Sequence, residues 1–174
     1  MRISRFFIVL FPVALLILSG CLGDDNSIPS DYTEWYNLNQ EYITNCETEM
    51  EEGIFKYEKI VPVWDNSVFV LMHWYNDRSE NVNKLNPVSN STITVKYTLT
   101  NIEGDTLDSN SAFVCQPNSL ITGFWTAVTN MNVKDTVTAV IPYTAGYGAT
   151  GSSAIKPYST LIFGIRLDSI NKLY

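Results

Sequence analysis

Between residues 55 and 168 the sequence is dominated by runs rich in β-branched and aromatic residues, at 55–64, 68–75, 92–101, 136–141 and 160–168. Such runs favour strands, because branched and ring side chains pack well on a pleated surface. Only one stretch among them has helical spacing: Phe124, Val128 and Met131 stand at i, i+4 and i+7. Strand and helix do not alternate regularly, so a parallel sheet built from crossover units is excluded. The pattern predicts an α+β fold in which an antiparallel sheet holds a short helix over 124–131.

A second helix is expected ahead of the strands, over residues 31–53. Asp31 followed by Glu34 resembles a capping box, and Trp35, Leu38, Tyr42, Cys46 and Met50 recur along one face. Gly53 is the expected stop. Glu47, Glu49, Glu51 and Glu52 fall at the unfavourable end of that helix's dipole, which predicts a solvated, frayed last turn. The polar, asparagine-rich residues 76–87 are expected to form an exposed, mobile loop, and Glu103-Gly104 a turn.

The stretch Gly146-Tyr147-Gly148-Ala149-Thr150-Gly151 matches the G-x-G-x-x-G fingerprint of dinucleotide-binding turns. That chemistry needs a helix opening directly after the glycines, so that free N–H groups meet the pyrophosphate. Here Ser152-Ser153-Ala154-Ile155-Lys156-Pro157 follows, and Pro157 would break such a helix before strand chemistry resumes. No nucleotide is expected, and the glycines are read as shaping a loop.

The N-terminus carries Arg2 and Arg5, an apolar run from Phe6 to Leu18, and then Ser19-Gly20-Cys21. This order reads as an export signal over residues 1–20. Leu18-Ser19-Gly20-Cys21 is similar to the lipobox of bacterial lipoproteins, which implies acylation of Cys21 as the first mature residue. Acyl chains contribute about 0.8 kcal/mol per buried CH₂, enough to hold a protein on a membrane. Residues 21–30 read as a tether, and 54–174 as the main domain. The expected location is the bacterial cell envelope, anchored to a membrane such as the outer membrane, on its periplasmic or surface face. A net charge of −7 removes the electrostatic footprint for nucleic acid. Cys46 and Cys115 have no spacing signature and are expected as free thiols, although export would allow them to pair. His73, the only histidine, lacks companions at ligand spacing and reads as a strand residue beside Trp74, so no metal or other cofactor is expected.

Residues 120–170 resemble the second half of FKBP-type peptidyl-prolyl cis-trans isomerases. The resemblance rests on Leu120-Ile121-Thr122-Gly123-Phe124 leading into the short helix, Met131 and Val133 after it, Ile141-Pro142, Tyr147-Gly148, and Pro157-Tyr158-Ser159-Thr160-Leu161-Ile162-Phe163. Upstream, Val95-Lys96-Tyr97-Thr98, Glu103-Gly104 and Leu107-Asp108-Ser109 resemble the family's VHYTG…DG…FDSS segment, so the match spans 92–170. It implies a curved antiparallel sheet wrapped around the short helix, with the N-terminal helix as an addition. It also implies a prolyl pocket with Tyr97, Asp108, Ile121, Phe124, Tyr147 and Phe163 as catalytic residues and Leu107, Leu120 and Ile155 as substrate-binding ones. The implied substrates are proline-containing segments of exported proteins. The sequence departs from the family pattern at Leu107 and Ser111, where aromatics are usual. Phe124 stands in a tryptophan's place beside Trp125, and the loop after Gly151 is short and has no histidine. These departures predict a smaller, less aromatic pocket. They leave two alternatives open, a non-catalytic peptide-binding or chaperone lipoprotein and a structural lipoprotein that recruits a partner through its helix and acidic face.

Overall fold

A computed structural model describes residues 27–81 and 84–172. In chain order the elements are helix α1 (Ser30–Thr48), strands β1 (Met50–Glu51), β2 (Ile54–Phe55), β3 (Glu58–Ile60), β4 (Val70–Trp74), β5 (Thr92–Thr100) and β6 (Thr106–Cys115), helix α2 (Thr122–Thr129), and strands β7 (Thr136–Ile141) and β8 (Leu161–Lys172). Strands β3 to β8 form one antiparallel sheet in the order β3-β4-β7-β8-β5-β6, while β1 and β2 make a separate hairpin. The architecture is α+β, with a sheet curved around α2.

Strand alternation sets the concave face. Ile93, Val95 and Leu99 of β5, Val137, Ala139 and Ile141 of β7, and Leu161, Phe163, Ile165 and Leu167 of β8 are all buried in one core. The register aligns Ile141 with Leu161, Ala139 with Phe163 and Val137 with Ile165, so these side chains share a face. Helix α2 lays Phe124, Ala127 and Val128 on that face, with Met131 just beyond its end. A Cβ on Gly123 would overlap the Ile141 side chain and lie 3.1 Å from the Ala145 carbonyl oxygen, so only glycine lets the helix start this close to β7. Register shifts at Val95/Tyr97 and Leu99/Thr100 interrupt the β5–β6 ladder, and bulges of this kind increase twist and bend a sheet.

The opposite face is covered in part by α1. Ile43 and Cys46 pack on Leu71 of β4 and Val140 of β7, with Tyr42, Tyr57 and Phe69 around them. The helix begins at Ser30 after Pro29, and no side chain caps it, so the capping box expected at Asp31 does not form. Its buried positions are Asn39, Ile43 and Cys46, whereas Leu38 and Met50 are exposed. The apolar periodicity misplaced the face because one of its central positions is an asparagine. The helix also ends at Thr48, earlier than expected, and Glu52-Gly53 instead turns the β1–β2 hairpin with φ of 51° and 84°. The frayed acidic end is replaced by ion pairs: Glu49 with Lys56 at 2.7 Å and Glu47 with Lys59 at 2.6 Å.

Three further expectations change. The run 55–64 contributes only the short β2 and β3. Strand β6 lies in a segment not read as a strand at all. The start of the segment 76–87 is also better anchored than a free loop. The Asn76 side chain donates to Asp135 and accepts the Thr136 N–H, and Arg78 lies 3.8 Å over the Trp74 ring and donates to the Asn130 carbonyl. The export signal and Cys21 lie outside the described residues.

Cys46 and Cys115 are free thiols, buried and half-buried. Burial raises both, the Cys115 thiol to about 11, so neither is a thiolate near neutral pH. Alkylation of the native protein at pH 8 should therefore be slow and should accelerate on unfolding. Replacing both by serine should shift the melting temperature by only a few degrees, as about 1 kcal/mol does in a domain of this size. Fast native-state labelling of both thiols would contradict this.

Candidate functional site

A cavity of about 290 Å³ opens between β5, β6, the start of β8, the loop that carries Tyr147 and the start of α2. It is lined by Tyr97, Leu99, Asp108, Phe113, Ser119, Leu120, Ile121, Phe124, Tyr147 and Phe163. Its floor is aromatic. Phe124 and Phe163, 4% and 6% exposed, meet edge to face with ring centres 5.0 Å apart, and Tyr97 stands against both at 6.0 and 5.9 Å. Such tilted ring pairs are favoured by the aromatic quadrupole and hold one another in place.

One polar pair interrupts the apolar wall. The Tyr97 hydroxyl donates to Asp108 Oδ2 at 2.6 Å, while Asp108 Oδ1 accepts the Ser109 N–H at 2.8 Å. Burial, and then the hydrogen bond to this carboxylate, push the Tyr97 hydroxyl up to about 12 from 10.0. The phenol is therefore neutral throughout the physiological range. Because the shift is upward, its contribution to folding is whole below pH 10 and is lost as pH rises toward 12. Carboxylate and phenol are thus fixed to each other, and the Ser119 hydroxyl on the wall donates to the Gln116 carbonyl at 2.7 Å with no base beside it, so no activated nucleophile lines the cavity.

The rim comes from two irregular segments. Ile121 is the residue before α2, with φ of −58° and ψ of 147°, where the N–H groups of the first turn lack intrahelical acceptors. Across from it, Tyr147 is 40% exposed on the loop after the turn Tyr143–Ala145. That loop is the glycine-rich stretch. Gly148 and Gly151 take φ of 65° and 68°, and a Cβ on Gly151 would collide with the Ile155 carbonyl oxygen. The following residues remain irregular up to β8 at Leu161, so no helix N-terminus is available for a phosphate.

Of the residues singled out from sequence, Tyr97, Asp108, Leu120, Ile121, Phe124, Tyr147 and Phe163 are brought to this one cavity. Leu107 and Ile155 are not: Ile155 is buried in the core beneath the loop, and Leu107 packs at the core's margin. Trp125 turns away and stacks on Trp64 with ring centres 4.5 Å apart. The expected loss of an aromatic at Ser111 is made good by Phe113, which lines the cavity and meets the Tyr97 ring at 5.6 Å. Leu99 and Ser119 also line it and were missed.

A larger depression of about 910 Å³ lies at the other end of the sheet, between the β1–β2 hairpin and β3–β4. It is an open trough. Lys56 and Lys59 on its walls are paired with Glu49 and Glu47, and the His73 ring Nδ1 lies 3.0 Å from the Lys56 carbonyl oxygen, so its polar groups are largely engaged with one another. The smaller cavity has the convergent apolar walls and few fixed polar groups of a binding site, and the trough does not. Among the described residues no group of three or more His, Cys, Asp or Glu is placed to hold a metal ion.

Comparison with known proteins identifies the family of the domain that carries this cavity. A family model of the FKBP-type peptidyl-prolyl cis-trans isomerases matches residues 83–168. Among solved structures, a peptidyl-prolyl cis-trans isomerase from Pseudomonas syringae pv. tomato is 20% identical with a TM-score of 0.67, over 81% of this chain and 96% of that one. FkpA from Escherichia coli is 19% identical with a TM-score of 0.66, over 80% of this chain and 61% of that one. At such identities the likeness is one of fold. The comparison with curated proteins gives no match. The matched segment, residues 83–168, is an FKBP-type peptidyl-prolyl cis-trans isomerase domain, and every cavity-lining residue falls within it.

Proposed function

We propose that this chain is a lipid-anchored isomerase of the cell envelope that acts on proline-containing segments of exported proteins by desolvating and twisting X–Pro amides in the aromatic cavity. The observation that carries the reading is the convergence of Phe124, Phe163, Tyr97 and Phe113 on one small cavity whose only carboxylate is already bound to a tyrosine. Rotation about an X–Pro bond must break amide resonance, at a barrier of roughly 18–20 kcal/mol. The twisted amide is less polar than the planar one. An apolar cavity that strips water from the amide therefore favours the twisted state over the ground state. Each tenfold acceleration requires only about 1.4 kcal/mol of that preference, and no covalent step is involved.

In this reading the proline ring sits against Phe124 and Phe163. The Ile121 N–H and the Tyr147 hydroxyl hold carbonyl oxygens of the bound segment, one on each side of the cavity, and Asp108 fixes Tyr97. The presence of Phe113 favours turnover over the non-catalytic alternative, since the aromatic wall is more complete than the sequence suggested. A proline-peptide isomerisation assay on the chain from residue 22 onward decides between them. Acceleration over the spontaneous rate supports the enzyme. Amide shifts at Ile121 and Tyr147 without acceleration identify a binding module instead.

Tyr147→Phe keeps the ring and removes one hydroxyl. It should leave the melting temperature unchanged and lower kcat/KM by roughly two- to tenfold, the equivalent of one hydrogen bond of about 0.5–1.5 kcal/mol. Lipid anchoring rests on Leu18-Ser19-Gly20-Cys21. Cys21→Ala should move the protein out of the detergent-soluble membrane fraction, and a processed mass lacking acyl groups in the unmodified protein would remove the proposal.

A further inference from the structure

We propose that helix α1 is a positioning element of the isomerase site: it clamps Tyr158 and its neighbours, and so fixes the loop that carries Tyr147. The proposal rests on the functional reading of the cavity given above. Helix α1 lies outside residues 83–168, and no residue of it lines the cavity. Its N-terminal half nevertheless makes a dense set of contacts with the end of the substrate loop.

The loop between the turn Tyr143–Ala145 and β8 has no regular structure, so its shape depends on a few bonds. The Gly148 N–H donates to the Tyr143 carbonyl at 2.9 Å, the Gly151 N–H to that of Tyr147 at 3.1 Å, and the Tyr158 N–H to that of Gly148 at 3.0 Å. The last bond closes the loop immediately beside Tyr147. It is donated by a residue with φ of 61°, a left-handed conformation that a tyrosine adopts only when its surroundings impose it.

Those surroundings are mainly α1. The Tyr158 ring meets Tyr36 edge to face at 5.8 Å and Tyr32 at 6.1 Å, with Tyr143 on its remaining side at 5.4 Å. On either side of it the backbone is pinned by the same helix. Trp35 Nε1 donates to Ser159 Oγ at 3.1 Å, and Asn39 Oδ1 accepts the Thr160 N–H at 2.6 Å, with Asn39 and Thr160 both buried. Lys156 Nζ lies 4.6 Å over the Trp35 ring. Residues 156 to 160 are thus held at four positions by about two turns of helix, Tyr32 to Asn39, and the strained Tyr158 lies in the middle. A carbonyl-holding hydroxyl at a rim is useful only if its ring is placed before the substrate arrives, because a displacement of about 1 Å can cost up to a hundredfold in rate.

The test compares α1 variants at its two ends. Tyr32→Ala/Tyr36→Ala should lower kcat/KM for a proline tetrapeptide roughly three- to tenfold and should speed amide exchange at Tyr158 and Gly151. Tyr36→Phe, which keeps the ring, should behave as the unmodified protein. Ile43→Ala, in the packing of α1 on the back of the sheet, should lower the melting temperature at least as much yet leave both kcat/KM and loop exchange unchanged. An equal loss of activity in Ile43→Ala, or unchanged exchange in the double variant, overturns the proposal. Should the unmodified protein fail to isomerise the peptide, the functional reading falls, and the exchange comparison still decides whether α1 holds the loop.

Discussion

Phe163→Ala is expected to destabilise the fold by about 3–5 kcal/mol and to abolish measurable isomerisation at the same time. The side chain is 6% exposed and belongs to two structures at once. As part of β8 it pairs with Leu99 on one side and Ala139 on the other, in the middle of the sheet. As part of the cavity it meets the rings of Phe124 and Tyr97. Truncation leaves a void that neighbouring strands cannot close without losing their register, so both a transfer and a cavity cost apply. It also frees Phe124 and Tyr97 to rotate. Phe163→Leu separates the two consequences: it keeps most of the volume, should cost less than about 1.5 kcal/mol, and should still reduce kcat/KM because a branched aliphatic group does not reproduce the edge-to-face support. The check is chemical denaturation beside a proline-peptide assay. Full activity in Phe163→Leu and an unfolding free energy within about 1 kcal/mol of the original in Phe163→Ala would place Phe163 outside both roles.

How much of this was legible in the sequence depended on whether a position's period matched its burial. Strands β5 and β8 were readable because their buried positions are Val, Ile, Leu and Phe on alternate residues, and β7 because its run is β-branched, although Val140 is buried beside Ala139 and Ile141. Helix α2 was readable because Phe124 and Val128 stand one turn apart. Strand β6 was not, because Thr106–Cys115 is an exposed edge strand whose residues are mostly small and polar, with no alternation to detect. The cavity wall it supplies was misread for a related reason. Between the pairs Tyr97↔Asn110 and Val95↔Phe113 the β6 side has one residue more than the β5 side, so counting by twos from Asp108 puts Phe113 on the wrong face. A bulge of that kind leaves no mark in composition. In α1, Asn39 holds the central buried position because its side-chain oxygen accepts the Thr160 N–H, a tertiary role that an apolar period cannot reveal. The resemblance located Tyr97, Asp108, Ile121, Phe124, Tyr147 and Phe163 because each sits in a motif of distinctive residues. It could not locate the helix contacts to Tyr158, whose partners Tyr32 and Tyr36 lie more than a hundred positions away in the chain.

Asp108→Ala is expected to cost the most activity for the least stability. Its carboxylate accepts from the Tyr97 hydroxyl at 2.6 Å and from the Ser109 N–H at 2.8 Å, and Asp108 itself is exposed on the edge strand β6, so its removal opens no hole in the core. Hydrogen bonds to a charged group contribute roughly 1.5–3 kcal/mol each. If holding Tyr97 is what keeps the ring square to Phe124 and Phe163, losing that bond should lower kcat/KM by roughly ten- to a hundredfold while the melting temperature moves by a few degrees at most. The Tyr97 hydroxyl supplies an internal witness. Its elevation to about 12 has burial as the larger cause and Asp108 as the second, so the variant's phenol should titrate lower than the original's but still above 10. Absorbance titration of the phenolate measures this without reference to activity. Tyr97→Phe should then reproduce most of the rate loss of Asp108→Ala, and the double variant should lose little more than either single one, since both changes break the same contact. Fully additive losses would mean that Asp108 acts on the bound amide directly rather than through Tyr97.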